Sequence, residues 1–293
     1  LAAVDHLDFE VQRGELFGIV GPDGAGKTTT LRILAGVLPP TEGDVEVDGV
    51  SVARDPEAIK PELAYMSQRF GLYTDLTVME NLRFYADLFQ VDRKERERRM
   101  ERLFRFSNLE PFQDRLAGNL SGGMKQKLGL SCALIHQPKI LLLDEPTFGV
   151  DPISRRDLWL IVHEMVAEGV TVVVSTAYMD EAERFDRLIL LDHGRIAALD
   201  TPDRLQRSLE GDILALVVDR VRKARDVARE HPAVRRAALF GNRLHVTVGS
   251  ARDDGPAVRS ALADAGFAVR RMTHVAPSME DAFIEYVDES EAT

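Results

Sequence analysis

At 293 residues the chain is long enough for two domains, each burying its own core. A formal net charge of −11 argues against nucleic acid or an acidic membrane face as its main partner. The single cysteine, Cys132, excludes an internal disulfide and fits a reducing cytosol; no apolar stretch approaches the roughly 18 residues of a membrane span, and no signal peptide is expected.

Along the chain, "ELFGIV", "KILLLD", "VTVVVST" and "RLILLD" are short, β-rich and apolar almost without interruption, and helix-like stretches separate them. Strands of this kind predict an α/β fold with a mostly parallel sheet covered on both faces. Residues 78–109 read as helices that interrupt the strand series, so 78–132 is expected to be a helical insertion. Within it the mixed-sign run "DRKERERRMER" reads as a solvated helix face. "DTPDRLQRSLEG" predicts a closing helix and a boundary, which puts the first domain at 1–209. From 210 to 276 the pattern becomes strand "DILALVV", helix "KARDVAREH", strand "VRRAALF", a Gly241-Asn242 turn, strand "RLHVTV", helix "GPAVRSALADAG" and strand "AVRRMTHV". That is a β-α-β-β-α-β, ferredoxin-like α+β unit. Residues 277–293 read as a C-terminal helix and tail.

Three stretches carry chemistry. In "GPDGAGKTT", residues 21–29, Gly21, Gly26, Lys27 and Thr28 satisfy G-x-x-x-x-G-K-[ST] between a strand and a helix. Glycines let the backbone curl so that several N–H groups point at phosphate oxygens, and the helix adds its positive dipole end. Lys27 can reach the outer phosphates, and Thr28 can place its hydroxyl on Mg²⁺. In "KILLLDEPT" an apolar run delivers Asp144 and Glu145 to the end of a buried strand, where two adjacent carboxylates are costly without a cation or donors. Read alone, the pair is an exposed acidic strand end. Beside a phosphate loop, Asp144 suits Mg²⁺ and Glu145 suits polarising an attacking water. In "NLSGGMKQKLGLSCALI", Ser121 is a good N-cap, and Gly122-Gly123 open a helix whose first amides are free. Read alone this is an ordinary capped helix; with the phosphate loop it makes a second anion site. Cys132 and Trp159 read as core residues, and the histidines lack metal-ligand spacing.

Together these residues resemble the ATP-binding subunit of an ABC transporter, a P-loop NTPase cassette. "GPDGAGKTT" is similar to the family's phosphate loop, "LSGGMKQK" to its signature and "ILLLDEPT" to its catalytic strand. Gln68 in "YMSQRFGLY" falls at the Q-loop, and "GVDP" fits the D-loop. "MSQRFGLYTDLTVMENL", "GMKQKLGLSCALIHQPK" and "PSMEDAFIEYV" look most like the ATPases of ABC-2-type exporters, the drug-resistance branch, whose C-terminal extensions resemble the second unit. The resemblance implies ATP and Mg²⁺ as cofactors. Gly21, Pro22, Asp23, Gly24, Ala25, Gly26, Lys27, Thr28 and Thr29 would hold the phosphates. Thr28, Gln68 and Asp144 would serve Mg²⁺, and Glu145 and Gln68 would serve catalysis. It further implies two cassettes closing head to tail, each ATP lying between one chain's phosphate loop and Ser121, Gly122 and Gly123 of the other. An ABC-2-type transmembrane permease is the implied partner, reached through Gln68, with the cassette cytoplasmic and peripheral to the inner face of the cell membrane; no nucleic acid is expected.

The pattern breaks at Ala177. Family members usually place a histidine there, and a methyl group cannot donate to the γ-phosphate or orient water. Slow hydrolysis follows unless a neighbour or water substitutes. The family's adenine-stacking aromatic residue belongs to a strand upstream of "LAAVDHLDF". Two rivals remain at this point: a regulatory cassette with slow turnover, and a soluble ABC ATPase of translation or repair. The second usually shows paired cassettes or a coiled-coil insertion, which this chain lacks.

Overall fold

The computed structural model describes residues 2–68 and 71–291 and divides the chain into two compact units, Leu1–Pro202 and Asp203–Thr293. Arg69 and Phe70 of the Q-loop stretch, and the last two residues of the tail, lie outside the described residues.

The first unit opens with β1 (Leu16–Val20), the glycine loop and α1 (Lys27–Leu34). A small hairpin, β2 (Glu46–Val47) and β3 (Val50–Ser51), and a single turn, α2 (Pro56–Ile59), lead to β4 (Leu63–Met66). The expected insertion supplies α3 (Val78–Leu88), α4 (Arg93–Ser107) and α5 (Gly122–Leu134). Then come β5 (Ile140–Asp144), α6 (Pro152–Ala167), β6 (Thr171–Thr176), β7 (Arg187–Asp192) and β8 (Arg195–Asp200), and α7 (Pro202–Arg207) follows.

Six strands form one sheet in the order β4-β5-β6-β1-β7-β8. Every pair is parallel except the edge pair β7–β8, which is antiparallel. The exception has a local cause. His193 (φ 44°) and Gly194 (φ 80°) are both left-handed, the backbone of a tight two-residue hairpin, so the chain returns beside itself instead of crossing over. Alternate strand residues serve opposite faces. Phe17, Ile19, Leu142, Val173 and Ile189 pack with Leu31 of α1, Ala35 just past its end and Ile59 of α2. Leu141, Leu143, Val172 and Val174 are buried on the other face, where α6 packs through Leu158, Trp159 and Val162.

The helical stretch 78–109 is two helices. Thr77 and Glu80 cap each other at the start of α3, through Glu80 N to Thr77 Oγ1 (3.1 Å) and Thr77 N to Glu80 Oε2 (2.8 Å). A left-handed Gln90 (φ 53°) then breaks the helix, and Asp92 caps α4 by accepting from Lys94 N at 2.8 Å. α4 buries Met100, Leu103 and Phe104 while Arg93, Lys94, Glu97 and Arg98 are exposed, a solvated charged face.

The second unit holds β9 (Asp212–Val218), α8 (Val221–Arg229), β10 (Val234–Phe240), β11 (Arg243–Val248), α9 (Ala251–Asp264), β12 (Val269–Val275) and α10 (Met279–Glu291). Its sheet runs β10-β11-β9-β12 with every pairing antiparallel, the ferredoxin-like order. Leu214, Leu216, Leu244 and Val246 pack on Ala224 and Ala228 of α8 and Val258 and Leu262 of α9. α10 is tied to the sheet by polar contacts: His245 Nδ1 lies 2.9 Å from Asp281 Oδ1, and Arg236 pairs with Glu285. The division between the units falls at Pro202/Asp203 rather than at 209/210. The closing helix α7 runs into the second unit, where Ser208 shares a 2.6 Å hydrogen bond with Tyr286 of α10.

Candidate functional site: a nucleotide cleft

The sheet register brings the two chemical stretches together. β6 lies between β1 and β5, with Thr176 opposite Val20 and Ser175 opposite Asp144. The glycine loop after β1 and the acid pair ending β5 therefore meet at the carboxyl ends of parallel strands, where open α/β sheets bind ligands.

Gly26 caps α1 with a left-handed backbone (φ 105°) and no side-chain hydrogen bond, so the helix's first amides stay free for an anion. A Cβ there would sit 2.7 Å from the carbonyl oxygen of Ala3, so both the conformation and the space demand glycine. Lys27 is buried, and its ammonium has three partners. It donates to the carbonyls of Gly21 and Pro22 at 2.9 Å each and pairs with Glu145 Oε1 at 3.0 Å. Thr28 Oγ1 donates to Asp144 Oδ1 at 3.0 Å.

Asp144 and Glu145 are 1% and 7% exposed, so the pair is buried rather than an exposed strand end, and its polar groups are satisfied. Asp144 Oδ1 also accepts from Ser175 Oγ at 2.8 Å, and its Oδ2 accepts from the Tyr65 hydroxyl at 3.2 Å. Burial, with the charge of Asp144 adding to it, pushes the Tyr65 phenol up to about 12, which keeps it a donor. Glu145 accepts from Gln68 Nε2 at 2.8 Å besides pairing with Lys27. Gly24, Gly26, Lys27, Thr28, Gln68 and Glu145 line a cavity of about 720 Å³, in the range of small-molecule sites. The oxygen donors of Thr28 and Asp144, one hydroxyl and one carboxylate, suit Mg²⁺, which prefers few protein ligands and shares substrate phosphates.

The other predicted residues lie elsewhere. Ser121 and Gly122 are exposed at the start of α5, and Ser121 Oγ accepts from Met124 N at 3.3 Å. Gly123 is buried, and a Cβ on it would meet the side chain of Ser154 on α6. None of the three lines the cavity. Ala177 follows β6; its neighbour Tyr178 is turned under the guanidinium of Arg155, 4.5 Å from the ring centre. Cys132 is core, and burial pushes its thiol far up.

Three residues escaped the sequence reading. Ser175 and Tyr65 hold Asp144. Glu181, 1% exposed, accepts from Thr147 Oγ1 (3.0 Å), Thr176 Oγ1 (2.7 Å) and Trp159 Nε1 (3.1 Å), so Trp159 has a polar role besides packing. The available signal was the polar end of "VTVVVST", a serine and a threonine closing an otherwise apolar strand.

Comparison with known families and proteins agrees with this geometry. The family described as ABC transporter matches residues 4–148, and the DrrA1-3-like ATP-binding protein C-terminal domain matches residues 201–287. The chain is 44% identical over 287 residues to the probable multidrug ABC transporter ATP-binding protein YbhF of Escherichia coli (strain K12), covering 97% of this chain and 49% of that protein. It thus spans about half the length of that relative. It is 34% identical to the daunorubicin resistance ATP-binding protein DrrA2 of Streptomyces coeruleorubidus, covering 96% of this chain and 89% of that one. A dimeric ATP-binding cassette in a post-hydrolysis state with ADP and Pi superposes with a TM-score of 0.62 at 28% identity, over 68% of this chain and 90% of its own. Its first unit carrying the nucleotide cleft and its second the DrrA-like domain, the chain belongs to the ABC transporter ATP-binding family.

Proposed function

We propose that this chain is the ATP-binding and ATP-hydrolysing subunit of an ABC-2-type exporter, peripheral to the inner face of the cell membrane and acting with a separate permease. The observation that carries the reading is the convergence of Lys27, Thr28, Gln68, Asp144 and Glu145 on one cleft. The drug-resistance names of the relatives and the DrrA-like second unit favour an exporter over a soluble cassette of translation or repair. Among the described residues no helix is long and apolar enough to cross a membrane, and membrane passage is assigned to the permease.

Residues 21–29 bind the phosphates: the first amides of α1 face them, and Lys27 reaches the outer ones. Thr28, Asp144 and Gln68 would hold Mg²⁺, which neutralises charge on the phosphate oxygens. Because the Lys27 ammonium already has three partners, turning to a phosphate means giving up Glu145 or a loop carbonyl. Release of Glu145 leaves its carboxylate free to take a proton from the attacking water, with Gln68 beside it. Ser121, Gly122 and Gly123 grip the γ-phosphate of ATP bound to a second cassette, so the dimer closes with ATP and opens after hydrolysis.

Ala177 favours a second reading within this one, a cassette with slow turnover. Its methyl has no donor, and Tyr178 beside it is engaged by Arg155. The test is Glu145→Gln, which removes the base and keeps the shape. With ATP and Mg²⁺, size-exclusion chromatography should show more dimer for Glu145→Gln than for the parent. No shift at saturating ATP would count against the base assignment.

A further inference from the structure

We infer that Ser175 is a positioning residue for hydrolysis: its hydroxyl braces the backbone turn that aims the Glu145 carboxylate. The inference rests on the reading of Glu145 as the base.

Ser175 is fully buried on β6, directly opposite Asp144. Its hydroxyl serves both acids at once. It donates its one hydrogen to Asp144 Oδ1 at 2.8 Å and accepts from the Glu145 N–H at 3.0 Å. The same N–H reaches the Ser175 carbonyl at 3.1 Å, a three-centre bond centred on one residue. What it holds is strained. Glu145 has φ 47°, in the left-handed region that residues other than glycine avoid. Such a backbone persists only where its surroundings over-determine it.

The strain has a use. Had β5 continued as extended chain, Glu145 would point to the opposite face of the sheet from Asp144. The left-handed turn instead brings its carboxylate to Lys27 (3.0 Å) and Gln68 (2.8 Å) at the cleft. Alanine at 175 would leave the Glu145 N–H only the strand carbonyl and remove a donor from Asp144, so the turn could relax. Ser175 does not line the cavity. Its loss should therefore appear in turnover and not in nucleotide binding.

The experiment compares ATP turnover and nucleotide binding by the full chain in a two-by-two set, Ser175→Ala and Glu145→Gln singly and together. Ser175→Ala is expected to lower kcat by about 10- to 100-fold, with KM and monomer affinity for ATP changed less than about twofold. On the Glu145→Gln background the same substitution should change residual turnover by less than about twofold, because it acts through the missing base. Ser175→Thr, which keeps the hydroxyl, should recover most of the loss. If Ser175→Ala does not fold, Ser175→Cys takes its place with the same expected fall, a thiol being a poor hydrogen-bonding group. Full turnover in the serine variants beside an inactive Glu145→Gln would overturn the role of Ser175 while sparing that of Glu145. Equal falls on both backgrounds, or no recovery in a nucleotide-binding threonine variant, would overturn it too. Parental turnover in Glu145→Gln would instead overturn the base assignment itself.

Discussion

Two helices of the cassette begin beside glycine, yet only one of the two N-termini is surrounded. At α1, Gly26 supplies no side-chain cap, and Lys27, Thr28, Gln68 and Glu145 line the space in front of it. At α5, the Ser121 side chain caps the helix, and Ser121 and Gly122 face solvent, outside that cavity. The same element, a helix N-terminus, thus stands inside a walled cleft in one place and open to solvent in the other. What differs is the company that the parallel sheet brings to it. The glycine loop leaving β1 sets Lys27 at the first position of α1, and the carboxyl end of β5 brings two acids to face it.

The sharpest way to break this comparison is to remove the residues that define each end. Lys27→Ala should abolish nucleotide binding by the monomer, because that site is built within one chain. Ser121→Arg should leave monomer binding nearly intact while blocking ATP-driven dimerisation. Nucleotide titration of the two variants checks both, and equal losses would make the two helix ends alike.

A smaller effect tests how α5 is seated. Gly123 lies against Ser154, so Gly123→Ala forces a methyl into a filled space and should destabilise the chain by about 1–3 kcal/mol. Urea unfolding measures it, and an unchanged midpoint would mean that α5 and α6 can part without cost.

The smallest effect concerns Ala177. A donor to the γ-phosphate is typically worth on the order of 10²–10³ in rate, and water or a neighbour fills part of that gap. Ala177→His should therefore raise turnover by about tenfold, some 1.4 kcal/mol of barrier, with little change in ATP affinity. Unchanged turnover in a folded homodimer would show that Ala177 does not limit this cassette.

Much of this was legible in residue order. The glycine loop, the acid pair and the capped helix each lie within a few consecutive residues, and the near-continuous apolar strands announce a parallel sheet. The β-α-β-β-α-β order of the second unit follows from alternating runs and the Gly241-Asn242 turn, where Phe240 does pair with Arg243. What stayed hidden depends on register or on shortness. Ser175 meets Asp144 only because β5 and β6 pair in one register, and Tyr65 joins them from β4, a strand of four residues with no distinctive run. The antiparallel return of β8 rests on the backbone of His193 and Gly194, and histidine is not a usual residue at such a turn. Glu181 sits in a charged stretch, "MDEAER", and nothing in that stretch marks which acid is buried.

The central claim is that each ATP is shared between the phosphate loop of one chain and Ser121, Gly122 and Gly123 of another. Mixing two inactive variants tests it most directly. In a head-to-tail pair of Lys27→Ala with Ser121→Arg, one site carries both defects and the other carries neither. With random pairing and independent sites, ATP turnover absent from either variant alone should reappear on mixing, at about a quarter of the parent's rate. Turnover that stays at background, with mixed dimers demonstrated by tagged pull-down, would contradict the shared site.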